Sequence, residues 1–173
     1  SPIGDTLPIL LSLDSKIIIN YYKHNKIIPL NDFFMDYRKT KLKKGQFINS
    51  IIIPVKNKNI LKAYKISKRI DDDISSVCAS FNIKIKNNYI SKVIIAYGGM
   101  SAIPKRALNC EKVLINKELT RDSIHAAQKT LEKDFNPIDD MRATANYRMK
   151  VAKNLLLKCF LEIINNNTIR INA

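Results

Sequence analysis

Within 173 residues, 30 Lys and Arg oppose 15 Asp and Glu, a formal charge of +15, and 46% of the residues are hydrophobic. That balance excludes a disordered chain, and no apolar run nears the roughly 18 residues of a membrane span. The charge alone does not make a nucleic-acid binder. The basic residues are scattered, and the densest cluster, Arg38, Lys39, Lys41, Lys43 and Lys44, has only Tyr37 as a stacking ring, where RNA platforms interleave several.

An acidic partner subunit accounts for the charge equally well. The length suits one medium domain or two small lobes. No secretory signal opens the chain, and the expected location is cytoplasmic. A start at Ser1 rather than Met is read as a piece of something longer. Cys78, Cys110 and Cys159 are too dispersed for a zinc or iron–sulfur spacing and read as buried reduced thiols. His24 and His125 stand alone, and no metal ligand set is expected.

In chain order, Ser1-Pro-Ile-Gly-Asp5 reads as a tight turn, followed by a short helix over residues 6–13 with Pro8 in its first turn. Asp5 is either the cap of that helix or a hydroxyl-binding carboxylate. Residues 16–23, rich in Ile and Tyr, form a strand, and His24-Asn25 turns the chain into a second at 26–30. A one-turn helix capped by Asn31 brings Phe33 and Phe34 to the core. Residues 46–55 form a strand ended by Pro54, and residues 56–59 are a polar connector.

The next strand runs into three consecutive acids, Asp71 to Asp73. Tyr64 and Ile66 point to one side, and Lys65, Ser67 and Arg69 to the other. The acidic turn is either a solvated strand end beside its own counter-charges or one wall of a polar site with Lys65. Ala79, Phe81, Ile83 and Ile85 then alternate with Ser80, Asn82, Lys84 and Lys86, the pattern of a half-buried strand. Asn87-Asn88 turns it into a partner at 90–97, closed by Gly98-Gly99. Helices are predicted from Pro104 to about residue 114, over 120–135, and over 141–164 with Met141, Ala145, Ala152, Leu156 and Ile163 as a core stripe. Residues 165–173 read as a tail. The class is α+β: a small antiparallel β-rich lobe, then a three-stranded antiparallel sheet packed on three helices.

Read together, Ser1-Pro-Ile-Gly-Asp5, Asp36-Tyr-Arg-Lys-Thr40, Tyr64-Lys-Ile-Ser-Lys-Arg-Ile-Asp-Asp-Asp-Ile-Ser75, Tyr97-Gly-Gly-Met100, Pro104-Lys-Arg-Ala107 and Asp140-Met-Arg-Ala143 resemble, in order and spacing, the flavin-binding portion of the xanthine dehydrogenases, in the molybdenum hydroxylase family. The resemblance implies that residues 1–57 end an FAD-binding domain, that 60–165 are the flavoprotein's C-terminal domain, and that 166–173 are a tail. It carries four cofactor-binding positions. Asp5 matches an aspartate that binds polar groups of FAD, Ile48 an apolar residue beside the flavin, and Lys65 a lysine reaching the isoalloxazine. Asp72 falls where some relatives place an acid near the ring.

A lysine there stabilises negative charge gained on reduction, and an acid opposes it. No residue of the chain is expected to act as general acid or base. The resemblance further implies iron–sulfur clusters (2Fe-2S) and molybdopterin in missing or partner segments, a molybdenum-binding large subunit as partner, and NAD as acceptor for electrons from purine oxidation. Four glycines, none in a glycine-rich loop, supply no pyrophosphate cradle. The chain is therefore expected to be a fragment that binds FAD weakly by itself. The alternatives are a basic RNA-binding or assembly module, and an inactive gene remnant.

Overall fold

The computed structural model describes residues 2–55, 59–70 and 72–168. Most of the expected polar connector, Asp71 of the acidic turn and the end of the expected tail lie outside the described residues.

Helix α1 (Thr6–Ser12) opens the chain with Pro8 in its first turn. Strands β1 (Lys16–Tyr21) and β2 (His24–Pro29) form a hairpin. Its turn lies two residues earlier than expected: His24 and Asn25 pair with Tyr21 and Asn20, and Tyr22 takes φ +56° at the turn. A single 3-10 turn, Leu30–Asp32, replaces the helix expected to be capped by Asn31, which lies inside it. Phe33 is buried and Phe34 packs edge-on against it at 5.0 Å. A two-stranded ribbon of β3 (Phe34–Asp36) and β4 (Lys39–Thr40) then leads to β5 (Phe47–Ile52). The antiparallel order is β2-β1-β5.

The second lobe is a four-stranded antiparallel sheet of β6 (Ile60–Ile66), β7 (Val77–Lys86), β8 (Tyr89–Gly98) and β9 (Lys105–Arg106), in that order. Three strands were expected. The fourth is two residues long and hides in the segment assigned to a helix, because Lys105 and Arg106 pair with Tyr97 and Ala96. Asn87 and Asn88 turn β7 into β8 at φ +51° and +64°, the angles a two-residue hairpin demands.

Three helices cover one face of this sheet: α2 (Leu108–Leu114), α3 (Arg121–Asp134) and α4 (Ala145–Ile164). Their core joins Ala79, Phe81, Ile83, Ile95 and Tyr97 to Leu114, Leu131, Leu156 and Phe160. Each fully buried Leu, Ile or Phe among them contributes roughly 1.5–3 kcal/mol. Thr120 and Thr144 cap α3 and α4 by accepting from the Ser123 and Tyr147 amides. The Thr144 cap starts α4 four residues later than the predicted stripe, so Met141 is in the preceding loop and 82% exposed.

The first part of β7 departs from its predicted half-burial. Ser80 and Asn82 are as buried as Phe81 and Ile83, because α1 covers the second face. The Ser12 and Ser80 hydroxyls share a bond at 2.7 Å, and Asn82 Nδ2 donates to the Ser12 carbonyl at 2.8 Å. A Cβ on Gly98 would stand 3.1 Å from Pro8 Cγ, so the glycine permits the close approach. Helix α1 is thus the shared layer between the two sheets. Its other side packs Leu11 with Ile17, Ile19, Ile28 and Phe33.

Candidate functional site

The start of α1, the end of β6 and the acidic turn meet at one edge of the molecule. β6 alternates half-buried and exposed side chains, which sends Lys65 outward. Lys65 Nζ donates to Asp5 Oδ2 at 2.8 Å and to the Asp73 carbonyl at 2.5 Å. The bond to Asp5 raises the lysine pKa above its ordinary value, against the opposing effect of desolvation. Asp5 occupies the N-cap position of α1 but makes no side-chain capping bond. Its carboxylate faces the lysine, so its side chain forms an ion pair instead of capping the helix.

The acidic turn is folded by its own charges. Asp73 accepts from the Arg69 amide at 3.1 Å and the Ile74 amide at 2.9 Å, and these bonds, the Arg69 one foremost, hold its carboxyl below the usual range. Asp72 is exposed at φ +50°, and its carbonyl accepts from Arg69 at 3.4 Å. The turn is therefore neither a bare solvated end nor closed on Lys65 through Asp72: Lys65 meets it at the carbonyl of Asp73. Ile48 lies on β5, opposite Ile19 and on the α1-facing side of that sheet, 43% exposed. The structure brings Asp5 and Lys65 into contact; it records no contact between either one and Ile48 or the Asp72 side chain.

A second node, missed in the sequence, sits beside the first. Arg148 projects from α4 with a side chain only 4% exposed. Its guanidinium donates to the carbonyls of Ser76 and Gly99, and at 2.5 Å to Asp140 Oδ1. Burial would raise the Asp140 pKa, but bonds from the Arg142 and Ala143 amides and from Arg148 outweigh it and hold the carboxyl low. The available signal was an arginine at a stripe position, three residues after Ala145 and four before Ala152. Gly99 stands at φ +79° with the space of its missing side chain filled by the Ser76 carbonyl.

Between the two nodes lies a cavity of about 380 Å³, within the range of small-molecule sites. Ile3, Ile74, Ile138 and Tyr37 give it apolar walls; Asp5, Ser75, Asp140 and Arg142 give it polar ones. The Ser75 hydroxyl is buried with no hydrogen-bond partner among the described residues. Those residues contain no His, Cys, Asp and Glu cluster able to hold a metal, and no helix long and apolar enough to cross a membrane. The three thiols are buried, Cys78 and Cys159 pushed up to about 12 by that burial.

The Asp5–Lys65 pair thus stands at the rim of a cavity lined from both the β-rich lobe and the α+β lobe. Residues 62–163 match the CO dehydrogenase flavoprotein C-terminal domain, and residues 1–56 the FAD binding domain in molybdopterin dehydrogenase. The chain belongs to this flavoprotein family, the FAD-binding part of the molybdenum hydroxylases.

The chain is 30% identical over 162 residues to the glyceraldehyde dehydrogenase medium chain of Sulfolobus acidocaldarius, covering 94% of this chain and 57% of that one. It is 29% identical over 170 residues to xanthine dehydrogenase of Emericella nidulans, 95% of this chain and 12% of that one. Among solved structures, carbon monoxide dehydrogenase from Hydrogenophaga pseudoflava superposes with a TM-score of 0.85 at 18% identity, over 90% of this chain and 54% of that one. Quinoline 2-oxidoreductase from Pseudomonas putida 86 gives 0.83 at 15%, over 98% and 59%. The chain thus spans about half the length of the medium chain it matches.

The residues present fit one part of FAD. The pyrimidine edge of a flavin offers an N–H donor flanked by carbonyl acceptors. Asp5 is an acceptor, and Lys65 uses two of its three hydrogens on Asp5 and Asp73, leaving one donor. The pyrophosphate has no equivalent fit. Gly98 and Gly99 are packed against Pro8 and the Ser76 carbonyl and form no open cradle.

Proposed function

We propose that this chain is the flavin-ring side of an FAD site in a xanthine dehydrogenase-type oxidoreductase. Residues 1–57 end the FAD-binding domain, and 60–165 form the flavoprotein's C-terminal domain. The observation that carries the reading is the Lys65–Asp5 contact at 2.8 Å, made by a carboxylate that leaves its own helix uncapped.

In this reading Asp5 accepts from the ring's N–H and Lys65 donates to an adjacent acceptor. Lys65 also supplies positive charge at that edge, where a charge-assisted bond strengthens as negative charge develops. Ile48 offers an apolar surface for the flat ring, and Asp72 is the acid of the turn assigned near it. FAD, when bound, supplies the hydride and electron chemistry that links purine oxidation, through a molybdenum-binding large subunit and iron–sulfur clusters in partner segments, to NAD. The cavity beside Asp5 is the place proposed for NAD. Its apolar walls suit a flat ring, and Arg142 supplies a positive charge for a phosphate. The remaining contacts to FAD, its pyrophosphate above all, come from polypeptide outside these 173 residues.

The test is Lys65→Met in the assembled enzyme. Loss of one charge-assisted bond weakens flavin binding roughly tenfold to a hundredfold or lowers the flavin potential. Unchanged flavin content, affinity and potential would remove Lys65 from the site.

A further inference from the structure

Charge around the cavity beside Asp5 does not balance. The two carboxylates that line it, Asp5 and Asp140, are each met by a cation, Lys65 at 2.8 Å and Arg148 at 2.5 Å. Arg142 lines it too, and no carboxylate pairs with its side chain among the described residues. At the rim the surplus grows. Tyr37, a wall of the cavity, and Arg38 are the two turn residues between β3 and β4: Asp36 pairs with Lys39, and Arg38 takes φ +56°. Asp36 Oδ1 accepts from the Tyr37 amide at 2.7 Å, which pins the turn. The Arg38 guanidinium lies over the Tyr37 ring, 5.5 Å from its centroid, and has no acidic partner among the described residues. Lys39, Lys41, Lys43 and Lys44 follow, all exposed. Asp36 is their one counter-charge among the described residues, 3.8 Å from Lys39.

We propose that the cavity takes the 2′-phosphorylated nicotinamide dinucleotide, NADP, in preference to NAD, with the ribose phosphate on Arg38 and the pyrophosphate on Arg142. The proposal rests on the reading that a nicotinamide dinucleotide enters here, and it adds which one. NAD would meet Arg142 through its pyrophosphate and leave Arg38 idle. A free ribose diol is commonly held by a carboxylate, and a 2′-phosphate by an arginine. Asp140 is the lining carboxylate not assigned to the flavin, and its charge is already answered by Arg148 and by the Arg142 and Ala143 amides. Arg38 offers a planar fork that matches phosphate oxygens, held in place on the Tyr37 ring. The lysines behind it raise the local positive potential without touching the ligand. The apolar walls favour this ring-bearing ligand over an acidic protein, which would engage the lysines and leave the cavity empty.

The experiment titrates the assembled enzyme with NADP+ and with NAD+ at low and high salt, and follows binding directly, with 2′,5′-ADP as a competitor. The expected result is NADP+ binding about tenfold tighter than NAD+ at low salt, one charge-assisted contact at an exposed site, with the gap narrowing as salt rises. Displacement by 2′,5′-ADP is expected to be stronger than by 5′-ADP. Arg38 is exposed, so Arg38→Met leaves the circular dichroism unchanged, and it costs NADP+ about tenfold more than NAD+. Arg38→Lys, which keeps the charge without the fork, falls between. Arg142→Met weakens both dinucleotides alike. Equal affinity for the two, or a preference that survives Arg38→Met, would overturn the proposal and leave the dinucleotide reading standing. Failure of both dinucleotides to bind would overturn the two together.

Discussion

Replacing Arg148 with Met keeps most of the side-chain volume and removes the charge that ties three segments together. In the native chain its guanidinium joins the start of β7 through Ser76, the end of β8 through Gly99, and the loop before α4 through Asp140. The substitution strands two buried carbonyls at roughly 1–3 kcal/mol each. Removing one partner of a buried ion pair costs about 3–5 kcal/mol. The Asp140 side chain is 32% exposed and can recover water, so the stranded carbonyls alone set the loss. The expected loss is about 3 kcal/mol. With a urea dependence of roughly 2 kcal/mol/M, the unfolding midpoint falls by about 1.5 M. Arg148→Lys, which keeps the charge but cannot span three acceptors, falls between. A loss below about 1 kcal/mol for Arg148→Met would refute the idea that this node fixes the cavity wall.

Three further outcomes follow from the same contacts. Asn82→Leu strands the Ser12 carbonyl and Asn59, loses about 1–3 kcal/mol and speeds hydrogen exchange in α1; unchanged exchange there would deny that Asn82 docks the helix. Asp140 has a folded pKa below its ordinary 3.8, so its contribution is complete above that value and disappears as pH falls through the folded one; Asp140→Asn should therefore flatten the drop in stability below about pH 4, measured by urea titration at several pH values. A thiol reagent at pH 8 should find Cys78, Cys110 and Cys159 almost unreactive in the native chain and all three reactive in urea, since burial holds each thiol protonated; fast native labelling would contradict the packing.

What the sequence disclosed and what it concealed divide along one physical line. Local patterns with strong backbone requirements were readable: Pro8 at a helix start, Asn87-Asn88 at a hairpin turn, the helix over residues 120–135. The Asp5 and Lys65 positions came from resemblance, and their contact across 60 residues could not be read from spacing. The errors arose where tertiary contact overrides local pattern. β9 was hidden because two paired residues have no periodicity. Arg148 was hidden because a charge on a core stripe is invisible until its three oxygen acceptors are placed around it.

β7 shows the point best. Ser80 and Asn82 alternate with large apolar residues, which is the signature of a face turned to water. They are instead buried under α1, paired with Ser12. Polar side chains are affordable there because each finds a partner on the facing element, and a small polar pair lets a helix approach a sheet closely. The consequence reaches the site. α1 carries Asp5 at its first turn and is held by Ser12 at its last, so the docking that contradicted the half-buried reading of β7 also fixes where Asp5 stands relative to Lys65. If that docking were lax, the 2.8 Å contact would have no rigid support from either lobe. The expected response of α1 to Asn82→Leu therefore tests the site's geometry from about a helix length away, without touching any residue proposed to meet the flavin.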